Sequence, residues 1–192
     1  MRRTTDNDRL SMDSLRNHFL IAMPSLSGSI FSHTITYICD HTEEGAMGLV
    51  INQSLNITLD EIFQQMGVKS KVGATPVLSG GPVQPERGFV LHSADSRWDS
   101  TLEVADDILL TASRDVINAI AEGHGPEHYL VILGYAGWAA GQLEDELADN
   151  SWLTAPADSN ILFHTPIEQR WNSVASNLGI DLDLISSTAG HA

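Results

Sequence analysis

The chain has one cysteine, Cys39, in the stretch "TYICDH", two residues before His41. The thiolate is the reactive form of cysteine, and a nearby imidazolium lowers its pKa. Residues two apart on a strand share a face, so this pair has the spacing of an activated thiol. Asp40 opposes that chemistry, because a neighbouring negative charge raises a thiol pKa. Without a second cysteine, redox work would run through a mixed disulfide or a sulfenic acid. The competing reading is a small buried strand residue, since free cysteine is among the most buried types.

A second group of residues is rich in glycine. Residues 79–93, "SGGPVQPERGFVLHS", combine three glycines, two prolines, an Arg-Glu pair and a histidine. Pro82 and Pro85 restrict the backbone around them, which predicts a rigid, hairpin-like link between two strands. The link would present Arg87 beside Glu86, with the amides of Gly80 and Gly81 nearby. Arg87 either pairs with Glu86 or is offered to an acidic or carboxylate partner. Further on, in "GYAGWAAGQLEDEL", Gly134 and Gly137 follow the apolar run "YLVIL", and a helix is expected from near Trp138 with Gly141 inside it. Strand, glycine turn and helix can cradle an anion on free amides. The alternative is tight strand–helix packing around Trp138. The spacing is neither G-x-G-x-x-G nor a P-loop, and Glu144, Asp145 and Glu146 would repel a phosphate. Trp138, Trp152 and Tyr135 could line a small-ligand pocket.

Other chemistries lack their parts. His124 and His128 are four apart, but Gly125 and Pro126 between them forbid a helical metal pair, and no H-E-x-x-H occurs. His92, Asp95 and Asp99 are a weak oxygen and nitrogen set at irregular spacing. His33 and His164 border expected strands without an identifiable partner. No G-x-S-x-G elbow is present. No metal and no cofactor is expected.

Charge narrows the partners. Of 192 residues, 25 are acidic and 10 basic, a net charge of −15. Four of the bases (Arg2, Arg3, Arg9 and Arg16) lie in the first sixteen positions. The others (Lys69, Lys71, Arg87, Arg97, Arg114 and Arg170) are scattered. Such a surface repels a phosphate backbone, so direct nucleic-acid binding is not expected. No apolar run approaches the ~20 residues of a membrane helix. The N-terminus lacks the apolar stretch of a secretory signal. One cysteine excludes an internal disulfide framework. A cytoplasmic protein is expected.

The elements that must position these residues follow from periodicity. "HFLIAMP", stopped by Pro24, reads as a short strand. "HTITYICDH" alternates, with Ile35, Tyr37 and Cys39 on one face. "GAMGLVIN" reads as a central strand, joined to its predecessor by a hairpin. Strands are also expected at "TPVLSGGPV", "RGFVLHS", "ILLTA", "HYLVILGYAG" and "NILFHTP". Helices are expected at "TLDEIFQQMG", with a Thr58/Glu61 capping box and the face Leu59, Ile62, Phe63 and Met66, and at "SRDVINAIAEG". A third, "TPIEQRWNSVASNLG", is capped by Thr165 and buries Ile167, Trp171, Val174, Ala175 and Leu178. Strands in consecutive groups favour a single α+β domain with a mixed, largely antiparallel sheet. That domain is expected over 17–185, between a mobile arm at 1–16 and a flexible tail at 186–192.

"GAMGLVIN", "SGGPV", "GFVLH", "GYAGWAAGQLEDEL" and "NSWL", in this order, resemble the AlgH/YqgE family of small bacterial proteins, from about His18 to Leu184. The resemblance implies a barrel-like sheet flanked by helices and no established enzymatic activity. It also carries the family's label of a transcriptional regulator, tied by name to alginate production. Set against the charge, a regulatory role is expected to be indirect, through protein contact. Two functional readings stay open. One is a regulatory module that binds a protein or small molecule through Gly80, Gly81, Arg87, Gly134, Gly137 and Trp138. The other is a thiol-dependent redox protein or enzyme using Cys39 and His41. A purely structural homo-oligomer is a third.

Overall fold

A computed structural model of the chain describes residues 13–23 and 28–181. Its organising element is the apolar run "YLVILGYAGWA", an 11-residue strand that other strands line on both edges. In chain order the elements are β1 (His18–Ala22), β2 (Ile35–Thr42), β3 (Gly45–Val50), β4 (Ser54–Thr58), α1 (Leu59–Gln65), β5 (Pro76–Ser79), β6 (Val83–Ser93), β7 (Thr101–Ala105) and β8 (Ile108–Thr111). There follow α2 (Arg114–Glu122), β9 (Tyr129–Ala139), α3 (Gln142–Ala148), β10 (Trp152–Pro156), α4 (Ser159–His164), a 3-10 turn (Ile167–Gln169) and α5 (Arg170–Asn177).

The strands run β10-β1-β2-β3-β9-β6-β8-β7, with β5 beside β9 and β4 beside β5. Every pairing is antiparallel except β5 with β9. The fold is thus the expected single α+β domain, with a mixed, largely antiparallel, barrel-like sheet flanked by helices. At the open side of the curl, Arg16 donates from Nε to the Val104 carbonyl of β7 (3.2 Å) and lies 4.0 Å from Asp40 of β2.

Apolar side chains sort into an inner core and two outer ones. Inside the curl, Phe19, Tyr37, Leu49, Leu91 and Ile132 pack with Ile161, Leu162 and Val174 from α4 and α5. Outside, α1 and α2 set Leu59, Phe63, Val116 and Ile120 on Val77, Val90 and Val131. At the other end α3 sets Leu143 among Leu20, Ile38, Trp138 and Trp152. Burying a side chain such as Phe63 stabilises the fold by roughly 1.5–3 kcal/mol.

Local signals explain several boundaries. The Glu61 carboxylate accepts from the Thr58 backbone N–H (2.8 Å) at the start of α1. Ser113 precedes α2, and Gly123, at φ 82°, ends it in a left-handed turn. Met66 departs from the expected apolar face of α1: it caps the helix and is 46% exposed.

Other boundaries are corrected. "NILFHTP" is a helix, α4, not a strand, because Asp158 accepts from the Asn160 N–H (2.9 Å) and starts the turn. Thr165 therefore follows α4 instead of capping the next helix, and its hydroxyl donates to the Asn160 carbonyl (3.2 Å). The last helix begins at Arg170, after the 3-10 turn. Strands β4, β7 and β10 were not anticipated. Residues 1–12 of the expected arm, Pro24 and the expected tail lie outside the described residues. Within the arm's expected span, Ser14 and Leu15 are hydrogen-bonded to His41 and Arg16 to Val104.

Arg170 ties the inner layer together. It is 4% exposed and donates to the carbonyls of Ile51, Leu162 (3.0 Å) and Thr165 (3.1 Å). Burial lowers its pKa to about 10, against the opposing charge of Glu168, so the guanidinium is charged at neutral pH.

Candidate functional site

Ile132 of β9 pairs with Leu78 of β5 on one edge and with Phe89 of β6 on the other. The link Gly80–Gly81–Pro82 must therefore carry the chain across β9. It crosses at Gly134 and Tyr135. A Cβ on Gly81 would clash with the Tyr135 carbonyl, and one on Gly134 with the Gly81 carbonyl. Gly81 has φ 151° and Gly134 φ 76°. Backbone against backbone leaves room for glycine alone. The Gly80 N–H donates to the Leu133 carbonyl (2.8 Å), and the Gly80 carbonyl accepts from Val50 N–H (2.9 Å).

This corrects the expected geometry in two ways. The 79–93 segment is not a hairpin link, since β5 and β6 do not pair with each other. Gly134 and Gly137 are not a turn before a helix either. β9 continues through both, Gly137 pairs with Met47 of β3, and Trp138 lies on the strand. Gly141 precedes α3 at φ 78° and is not inside it. The Gly80 amide is taken up in the sheet's own bonding.

The crossing has a second consequence. Val83 pairs with Tyr135 and Gly88 with Leu133, so residues 84–87 of β6 oppose Gly134 alone. The excess length is thrown out as a bulge. Gln84 (φ 44°), Pro85, Glu86 and Arg87 are all exposed. Arg87 makes no ion pair with Glu86 among the described residues. Its Nη1 donates to Gln84 Oε1 at 3.5 Å, a long contact, and its guanidinium sits 5.1 Å from the Phe89 ring centroid. Tyr135 packs edge-on against Phe89 at 5.8 Å. A cation–π contact made by a solvent-exposed cation gains about 0.5–1 kcal/mol.

Trp138 and Trp152 serve structure. Both indole N–H groups donate to Glu146 Oε2, each at 2.8 Å, and Gln142 donates to Oε1 (3.0 Å). Phe31 packs on both rings, and Tyr135 belongs to the inner core, so the three aromatics do not line one pocket. The acidic run on α3 thus supplies a carboxylate that receives two indoles. Its Glu144 takes a second internal bond. The Leu15 N–H donates to His41 Nδ1 (2.9 Å), which places the proton on Nε2, and Nε2 donates to Glu144 Oε1 (2.6 Å). Burial pushes the Glu144 carboxyl up, but its own amide and His41 outweigh that and leave it below the usual range.

Cys39 and His41 do not share a face. The β2–β3 register shifts between Ile38 and Asp40, a bulge at Cys39 that reverses the alternation. Cys39 joins the inner core, while His41 turns to α3. The thiol is fully buried; burial pushes its pKa well up, Asp40 adds to this and Arg16 opposes it. We expect the native protein to resist a thiol reagent at pH 7 and to react fully in denaturant. A rapid native reaction would show that this strand opens.

His92 is fully buried. Nδ1 donates to the Ser93 carbonyl and Nε2 accepts the Thr111 hydroxyl, both at 2.8 Å. Burial lowers its pKa, against the Ser93 carbonyl and the charge of Asp95. Asp95 accepts from the Ser93 hydroxyl and the Glu127 N–H (3.1 Å), while the Asp99 N–H turns to Asp115. Among the described residues no three His, Cys, Asp or Glu donors converge on a metal position. No helix among them is long and apolar enough to cross a membrane.

A family model described as AlgH-like matches residues 19–183. A UPF0301 protein of Saccharophagus degradans is 58% identical over 181 residues, 93% of this chain and 89% of that one. Another, from Thioalkalivibrio sulfidiphilus, is 54% identical over 92% of this chain and 96% of its own. The solution structure of the AlgH protein from Pseudomonas aeruginosa superposes with a TM-score of 0.77 at 45% identity, covering both chains completely. A crystal structure from Corynebacterium diphtheriae shares the fold, with a TM-score of 0.72 at 20% identity over 97% of this chain and 94% of that one.

Proposed function

The chain belongs to the AlgH-like family, and from that premise we propose that it is a cytoplasmic binding module that receives a protein segment on the Gln84–Arg87 bulge. Any effect on transcription passes through that contact and not through DNA, which the net charge of −15 repels. The observation that carries this reading is the bulge itself: four consecutive exposed residues anchored to the central strand. Pro85 and the crossing below it limit the conformations lost on binding, so little ordering cost opposes association. Arg16 and Arg97 engage Asp40 and Glu103, and Arg170 is buried, whereas Arg87 lies open with an aromatic ring beneath it. A carboxylate on the partner would complete it.

The test places a photo-crosslinking residue at Gln84 in the intact protein. A discrete crosslinked partner is expected, and Arg87→Glu should reduce its yield about tenfold. Arg87→Glu should change stability by less than about 0.5 kcal/mol, since the side chain is exposed. Equal yields in the two proteins, or no crosslink at 84 while a residue at a distant site crosslinks, would refute the assignment.

A further inference from the structure

His128 directly precedes β9, and His164 is the last residue of α4. Sequence spacing cannot relate them, yet their ring centroids lie 4.5 Å apart with planes at 78°. The contact is held from several sides. The His128 N–H donates to Ser93 Oγ (3.1 Å), its carbonyl accepts from the Ser93 N–H (2.9 Å), and its ring stacks on Phe163 at 6.3 Å. His164 is exposed, and the His128 side chain is 39% exposed. Among the described residues no hydrogen bond engages the ring nitrogens of either histidine. Glu127 Oε1 lies 3.8 Å from His128 Nε2, and Asp95 accepts from the Glu127 N–H.

Two imidazoles bound to one Zn²⁺ at about 2.1 Å place their ring centres roughly 4.5–5.2 Å apart, for ligand angles between right-angled and tetrahedral. The observed 4.5 Å falls at the near end of that span. We infer that His128 and His164 form an open, two-imidazole site for a borderline divalent cation such as Zn²⁺, with no third protein donor among the described residues. Imidazole nitrogen suits Zn²⁺, Ni²⁺ and Cu²⁺ and discriminates against Mg²⁺ and Ca²⁺, which prefer oxygen. Water completes the coordination, so the ion is held at the surface and remains exchangeable. Because the two ligands come from α4 and from the start of β9, an occupied site joins the inner helical layer to the central strand.

Calorimetric titration of the full chain with Zn²⁺ at pH 7.5 tests this. One saturable site is expected in the wild type. It should weaken by about tenfold or more in His128→Ala and in His164→Ala, and stay unchanged in His124→Ala, a loop histidine outside the pair. Zn²⁺ should also raise the midpoint of thermal unfolding in the wild type and lose that effect in His164→Ala. His164 is exposed, so its removal leaves the fold intact. Amide broadening by Cu²⁺ in the wild type should centre on residues 127–128 and 163–164, which locates the site without any variant. No saturable binding, equal affinity in the pair variants, or broadening centred elsewhere would each overturn the inference.

Discussion

Replacing Arg170 with leucine is expected to destabilise the protein by about 3–5 kcal/mol, the lower part of the range for three buried carbonyls that lose their donor. The guanidinium reaches three carbonyls from three places in the chain: Ile51 after β3, Leu162 within α4, and Thr165 just beyond it. Leucine fills much of the volume, so the loss comes chiefly from carbonyls left without donors, each costing about 1–3 kcal/mol when buried. Lysine keeps the charge but offers one compact ammonium, which cannot span three acceptors, so Arg170→Lys should also be clearly destabilised. Urea unfolding with an unchanged m-value is the measurement. A loss below about 1 kcal/mol for Arg170→Leu would show that solvent or a shifted helix satisfies those carbonyls.

Gly81→Ala should be comparably severe for a different reason. The new Cβ would clash with the Tyr135 carbonyl, on backbone that cannot move without opening β9. Gly81 also has φ 151°, where a side chain is strained even in open space. Together these predict a loss of at least about 3 kcal/mol, or failure to fold. Gly141→Ala is the matching control. Its φ is 78°, but nothing lies within 4 Å of the added carbon. Backbone strain of about 1–2 kcal/mol should be its whole cost. If both variants unfold at similar denaturant concentrations, the crossing is looser than its backbone contacts require.

What the sequence made legible was mostly local. Thr58 with Glu61, Ser113, and the stops at Gly67 and Gly123 act within a few residues of themselves, and each marks a real boundary. The β2–β3 hairpin and the buried stripe around Val174 belong to the same class. The family motifs gave the sheet's overall character. What stayed hidden depended on distant chain. "NILF" fits a strand or a helix, and only the Asp158 cap separates the two. "LGYAG" looks like a turn because glycines break strands; that another segment lies across them is not a local property. Cys39 and His41 obey the two-residue rule until one bulge reverses it. Arg87 is exposed, and its neighbours are Gln84 and Phe89, not Glu86. His41 with Glu144 and the two indoles on Glu146 carried no spacing signal at all, since their partners lie on different elements.

The crossing over β9 also has a meaning in time. Synthesis proceeds from the N-terminus at about 5–20 residues per second. β5 and β6 leave the ribosome together, whereas β9, the strand that must lie between them, begins at Tyr129, well after β6 ends at Ser93. For those seconds the two strands are adjacent, antiparallel in sense and joined by three residues, which is all that a premature hairpin needs. Such a hairpin would close the slot that β9 has to enter. Pro85 offers no backbone donor, so a hairpin running through it would lack one ladder bond. The crossing can close only once the last of its three strands has been made.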